Sequence, residues 1–137
     1  MKKKIFIVLA NYYPDIADNL LKNALNHLQK TYNLNIVNQY VDCAEVPGVF
    51  EIPVTIATRI KQYDGFIALG CVIKGQTPHF DFISKATIDA IMKLSVDHKK
   101  PIGNGIITCL NRKQAIIRSK TKGQEAANAV GVVLEKL

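Results

Sequence analysis

The residues best equipped for chemistry lie in one stretch, Gly70-Cys71-Val72-Ile73-Lys74-Gly75-Gln76-Thr77-Pro78-His79-Phe80-Asp81. An apolar run from Gly65 to Ile73 reads as a buried strand, and it breaks at Gly75. Thr77-Pro78 then opens a helix, with Thr suited to the N-cap and Pro to the first helical position. His79 falls in the first turn, beside backbone N–H groups that no carbonyl has claimed. Gly75 would allow a backbone conformation closed to most residues, letting the amides of Gln76 and Thr77 point at an anion. The helix dipole disfavours imidazolium, so His79 reads as a neutral proton acceptor. A phosphorylated substrate and a proton transfer form the joint reading. The plain alternative is a solvated histidine at a helix start.

Two further loops could face the same ligand. In Val46-Pro47-Gly48-Val49-Phe50-Glu51-Ile52-Pro53, Glu51 at a helix start is stabilised by the dipole and can accept hydrogen bonds from a ligand's N–H or hydroxyl groups. The same Glu is also ordinary helix design, and Phe50 reads equally as core. Asn11-Tyr12-Tyr13-Pro14 offers two aromatics, and a planar heterocycle stacked on Tyr12 would gain about 1 kcal/mol beyond burial. Arg118 could supply a charged fork to a phosphate, or it could be a solvated helix residue.

These loops are positioned by a regular alternation of elements. Lys4–Ala10, Leu34–Val41, Gly65–Ile73 and Ile102–Cys109 read as strands. Asp15–Lys30, Glu51–Gln62 and Pro78–Asp97 read as helices, and Arg112–Ser119 with Gly123–Lys136 as two closing helices split near Lys120-Thr121. The helical stripe Ile16, Leu20, Leu21, Ala24, Leu25 and Leu28 has a period near 3.6. Pro53 is tolerable in the first turn of its helix. Alternating strands and helices predict an α/β fold of right-handed βαβ units, a parallel sheet covered on both faces. Ligands bind beyond the carboxyl ends of such strands. Asn11–Asp15, Asp42–Glu51 and Lys74–His79 sit at that edge, so an active site should draw on all three.

A chain of 137 residues fits one domain, residues 1–137. Its 48% hydrophobic and 21% charged content is ordinary globular composition. Lys2-Lys3-Lys4 before Ile5–Ala10 resembles a signal peptide only superficially, since no small-residue cleavage site follows. No run approaches the roughly 20 apolar residues of a spanning helix. The net charge of +7 is diffuse and lacks a nucleic-acid-binding motif, and it suits a phosphorylated metabolite equally well. Cys43, Cys71 and Cys109 are odd in number and widely spaced. Disulfides and zinc are not expected, and a cytoplasmic protein is.

Asn11-Tyr12, the Val46–Pro53 string and Gly70–His79, taken in order along nearly the whole chain, resemble the lumazine synthase family. The resemblance implies a flavodoxin-like three-layer sandwich with a four-stranded parallel sheet. It also implies homopentamers or multiples of them, with active sites between neighbouring subunits and no metal or organic cofactor. Members condense 5-amino-6-(D-ribitylamino)uracil with 3,4-dihydroxy-2-butanone 4-phosphate, giving 6,7-dimethyl-8-ribityllumazine, phosphate and water in the penultimate step of riboflavin synthesis. Tyr12 matches the aromatic that stacks on the pyrimidine. Val49, Phe50 and Glu51, and also Cys71, Val72 and Ile73, match the ribityl-pyrimidine segments. Gln76 and Thr77 match the phosphate turn, His79 the proton-transfer histidine and Arg118 the phosphate arginine.

The chain departs from the family pattern at three places. Asn104 stands where many members carry an aromatic that contacts the pyrimidine, so a contact there would come from its side chain or its backbone. Lys74 replaces a common Arg and loses the planar fork. A phosphate-side lysine of many members aligns with Ala126, with Lys120 and Lys122 as possible substitutes. Other readings on related architectures are an archaeal-type riboflavin synthase, a receiver-like signalling domain and a flavodoxin-like electron carrier. The receiver would want clustered acids after the first strand, and the carrier a hydroxyl-rich loop there.

Overall fold

A computed structural model describes all of residues 1–137. Four strands, β1 (Ile5–Ala10), β2 (Val41–Val46), β3 (Gly65–Ile73) and β4 (Ile102–Cys109), form one sheet in the order β2-β1-β3-β4. Every pairing is parallel. Five helices connect and close it: α1 (Pro14–Tyr32), α2 (Ile52–Arg59), α3 (His79–His98), α4 (Arg112–Ser119) and α5 (Lys122–Glu135).

The residues of β1 are all buried, which is what a central parallel strand covered on both faces requires. Its side chains alternate between two cores. Ile5, Ile7 and Leu9 join Ile67 and Leu69 under α1, α4 and α5, where Ile16, Leu20, Ala24 and Leu28 supply the helical stripe. Phe6, Val8 and Ala10 join Phe66, Ala68 and Ile106 under α2 and α3, which contribute Ile52, Ile56 and Ile91. The expected α/β sandwich with a four-stranded parallel sheet is therefore present. One contact sets how closely α5 can lie on α1: a Cβ on Gly123 would stand 2.0 Å from the Leu20 carbonyl oxygen.

The second strand differs from the expectation. Leu34–Val41 is not a strand; β2 begins at Val41, where the predicted one ended. Asn33 ends α1 in the left-handed conformation, with φ 55°, and its N–H caps the Gln29 carbonyl. Asn35 and Asn38 then exchange backbone-to-side-chain bonds of 3.0 and 2.7 Å, and Gln39 adopts φ 66°. These asparagines staple a turn that the apolar residues Leu34, Ile36 and Val37 disguise. The strand itself, Val-Asp-Cys-Ala-Glu-Val, sits at the sheet edge and carries the polar residues an edge tolerates. The loop expected over Asp42–Glu51 shrinks accordingly, because Asp42–Val46 belongs to β2.

Candidate active site

The chain leaves β1 in one direction to make β2 and in the other to make β3, so a switch point lies between β1 and β3. A cleft of about 480 Å³ opens there, at the carboxyl ends of the strands. All three predicted loops contribute to its walls: Tyr12 and Tyr13 after β1, Pro47–Glu51 after β2, and Gly75, Thr77 and His79 after β3. Cys71, Val72 and Ile73 form the floor strand, and Phe80 with Ile83 add apolar wall from α3.

Each loop is held by local bonds. Asn11 donates its backbone N–H to the Val46 carbonyl at 3.1 Å and its Nδ2 to Glu45 Oε2 at 2.9 Å, tying the first loop to β2. Tyr12 and Tyr13 meet edge to face, with ring centroids 4.9 Å apart. Val49 anchors a short 3-10 turn, Val49–Glu51, by burying its side chain in the second core. That turn leaves Phe50 62% exposed and puts Glu51 at the N-cap of α2. Pro53 occupies the first turn of α2, as expected.

The β3–α3 turn corrects two expectations. The N-cap of α3 is Pro78, not Thr77, and His79 is the first helical residue. Thr77 acts from outside the helix, its Oγ1 accepting the His79 N–H at 3.4 Å. Gly75 has no positive φ, and a Cβ there would meet nothing within 4 Å. The turn therefore forms without glycine's conformational freedom, and a side chain there would point into open space.

Electrostatically, the cleft walls hold Glu51 and His79 but no lysine or arginine. Burial, reinforced by the neighbouring Cys109, pushes the Cys71 thiol up to about 12. Cys71 is therefore a neutral wall atom rather than a nucleophile. Burial also raises the Tyr13 phenol, with Cys71 and Tyr12 adding to the effect and Arg112 opposing it.

A model of the 6,7-dimethyl-8-ribityllumazine synthase family matches residues 2–137. The chain belongs to that family. It is similar to the 6,7-dimethyl-8-ribityllumazine synthases of Bartonella bacilliformis (42% identical over 133 residues, 91% of this chain and 84% of the relative) and Agrobacterium fabrum (40% over 145 residues, 98% and 94%). A 6,7-dimethyl-8-ribityllumazine synthase 1 of Rhodopseudomonas palustris is 40% identical over 142 residues, 96% of this chain and 83% of the relative. The chain is thus an enzyme with lumazine synthase activity, acting in riboflavin biosynthesis. The signalling, electron-carrier and riboflavin synthase readings fall away. Lumazine synthases form oligomers, and no helix of this chain is long and apolar enough to cross a membrane.

Within the cleft of this lumazine synthase family member stand Tyr12, Val49, Phe50, Glu51, Cys71, Val72, Ile73, Thr77 and His79 of the predicted site. Three predicted residues lie outside its walls. Gln76 is exposed in the turn itself. Asn104, on β4, pairs with Ala68 of β3, three residues and about 10 Å before the level of Cys71. Its Oδ1 accepts the Ile106 N–H at 3.1 Å. Arg118 lies against the end of β4, donating Nη1 to the Thr108 carbonyl at 3.0 Å, with Cys109 Sγ at 3.9 Å. Ala126 is buried beneath Gly103 and Gly105 of β4, so a lysine has no room at its position. Tyr13, Phe80 and Ile83 are cleft residues that the sequence reading left unassigned. An i, i+4 relation with His79 was the available signal for Ile83.

Proposed function

We propose that residues 1–137 act as one domain that condenses 5-amino-6-(D-ribitylamino)uracil with 3,4-dihydroxy-2-butanone 4-phosphate in the cytoplasm, as part of a homopentamer or a multiple of it. The observation that carries the site assignment is the cleft, which gathers an aromatic, a carboxylate, a strand edge and an imidazole at the carboxyl ends of β1 and β3. Tyr12 stacks on the pyrimidine, and the Val49–Glu51 turn with Cys71–Ile73 binds its ring edge and ribityl chain. Gln76 and Thr77 receive the phosphate. His79 carries protons as the imine forms and phosphate leaves, a task that calls for a shuttle more than a strong nucleophile. Holding two substrates in register supplies much of the remaining rate.

The absence of a cationic side chain from the cleft walls supports a site completed by a second copy. Arg118 and Asn104, which lie outside one chain's own cleft, are then the residues a neighbour contributes. Tyr12, 72% exposed, and Phe50 are the apolar surface that the neighbour covers. An odd number of dispersed cysteines suits the reducing cytoplasm.

The test is to mix both substrates with the wild-type chain and with His79→Ala, following lumazine absorbance and phosphate release. His79 is exposed and its side chain makes no hydrogen bond within the chain, so the variant should keep its fold and oligomer while kcat falls by about 10²–10⁴-fold. Full activity in His79→Ala would remove the histidine from the proton path. Sedimentation of a fully active monomer would remove the shared site.

A further inference from the structure

Arg118 sits on α4, a helix of only 8 residues. Two turns of helix are marginal alone, so the position of α4 depends on what it is docked to. Its N-terminus is locally capped: Asn111 Oδ1 accepts the Gln114 N–H at 2.9 Å, and Gln114 Oε1 accepts the Leu110 N–H at 2.9 Å. Ala115 packs it into the core beside β4, and its polar docking is done by α1, through residues spaced four apart along one face. Asp15 pairs with Arg112 at the first turn of α4. Asn19 donates Nδ2 to Ser119 Oγ at 3.1 Å, and Ser119 is 0% exposed. Asn23 donates Nδ2 to the Ser119 and Lys120 carbonyls at 3.2 and 2.8 Å. Those carbonyls end a helix and have no intrahelical donor, so Asn23 caps α4 from a different helix. Asp15, Asn19 and Asn23 thus grip α4 at both ends, and Arg118 lies immediately before the gripped Ser119.

We propose that Asp15, Asn19 and Asn23 are positioning residues for Arg118, a polar rail on α1 that fixes where its guanidinium meets the phosphate of the phosphorylated substrate. This rests on the phosphate role proposed for Arg118. None of the three lines the cleft, and the side chains of Asn19 and Asn23 bond to the end of α4 that carries Arg118. The Thr108 carbonyl then serves as the rest that holds one guanidinium nitrogen while the others remain available.

The experiment measures KM for each substrate, kcat and thermal midpoint for Asn19→Ala, Asn23→Ala and Asp15→Arg, with Arg118→Ala as reference. Ile91→Val, buried in the opposite core, is the control for simple loss of stability. Asn19→Ala and Asn23→Ala should raise KM for the phosphorylated substrate by about two- to tenfold, the scale of one lost hydrogen bond. The pyrimidine KM should stay within error, and Ile91→Val should change neither KM. Asp15→Arg should raise the same KM, and the exchange Asp15→Arg with Arg112→Asp should restore it. If Arg118→Ala raises that KM but the rail variants do not, or if Ile91→Val mimics them, the positioning role is wrong. If Arg118→Ala itself leaves that KM unchanged, the phosphate role of Arg118 fails, and the rail's role fails with it.

Discussion

Gly70→Ala should damage the active site from beneath it. Gly70 lies in β3 opposite Ile106, with no room above it. A Cβ there would stand 2.7 Å from Val49 Cγ1 and 3.1 Å from Ala10 Cβ. Carbon atoms settle about 3.5–4.0 Å apart, so one of the two must retreat by about 1 Å. Ala10 belongs to the central strand and is paired with Val46, whereas Val49 begins a three-residue 3-10 turn. The turn is the softer partner and should move, carrying Phe50 and Glu51 with it. Overpacking of this kind costs about 1–3 kcal/mol, which is about 3–12 °C in Tm for a chain of this size. A displacement of about 1 Å can cost up to about 10²-fold in rate. The assays are thermal unfolding and kcat/KM at limiting pyrimidine. Adding Val49→Ala removes the atom that clashes, so the double variant should be more stable than Gly70→Ala alone. Strictly additive stability effects, or a normal pyrimidine KM in a destabilised Gly70→Ala, would refute the packing argument.

Other outcomes follow from the same geometry. With its thiol at about 12, Cys71 is ionised at pH 8 in about one molecule in 10⁴. Native protein should therefore resist iodoacetamide there far longer than unfolded protein, and Cys71→Ala should keep most activity; rapid native alkylation of Cys71 would contradict this. Cys43, pushed to about 11 by burial and then Glu45, should be nearly as slow, as peptide mass mapping can check. The Arg112 guanidinium holds the Asp15 carboxyl below its ordinary range by hydrogen bonding. The pair's stabilisation is thus fully present above the unfolded carboxylate value of about 4 and is lost as pH falls through the lower folded value. Asp15→Asn should lose less stability than wild type between pH 5 and pH 3 in low-salt urea titrations, by a small margin because both partners are half exposed. Tyr12→Ala should raise the pyrimidine KM and leave that of the phosphorylated substrate alone, and equal effects on both would argue against stacking.

Much of this molecule was legible because burial on both faces writes itself into composition. β1, β3 and β4 appear as apolar runs of the right length, and the stripe of α1 is periodic. β2 was misread for the opposite reason: an edge strand with Asp42 and Glu45 looks like a loop, while a turn containing Leu34, Ile36 and Val37 looks like a strand. The cleft loops could be placed because parallel topology puts them at one edge whatever their contents. Asn104 could be named only by resemblance, and Arg118 only as one of two readings, since nothing local distinguishes them from surface residues. The rail on α1 was invisible for a different cause. Asn19 and Asn23 find partners about a hundred positions away, and on a helix an asparagine reads as solvated until its partner is known.

The union of α1 with α4 and α5 also bears on how the chain comes to be folded. The sheet can assemble in order of synthesis: β1 is made first, β2 pairs on one side of it, β3 on the other, and β4 extends that edge. The cover over one face cannot follow this order. Ile16, Leu20, Ala24 and Leu28 reach their full burial only when α5 supplies Ala127, Val130 and Leu134 at the far end of the sequence. Contacts so distant along the chain are slow to form, and an incomplete chain leaves apolar surface open to aggregation. A nascent chain stalled between β4 and α5 therefore carries a finished sheet with one side covered only in part, by α1. For this protein, the docking of α5 rather than completion of the strands is the step that closes this face.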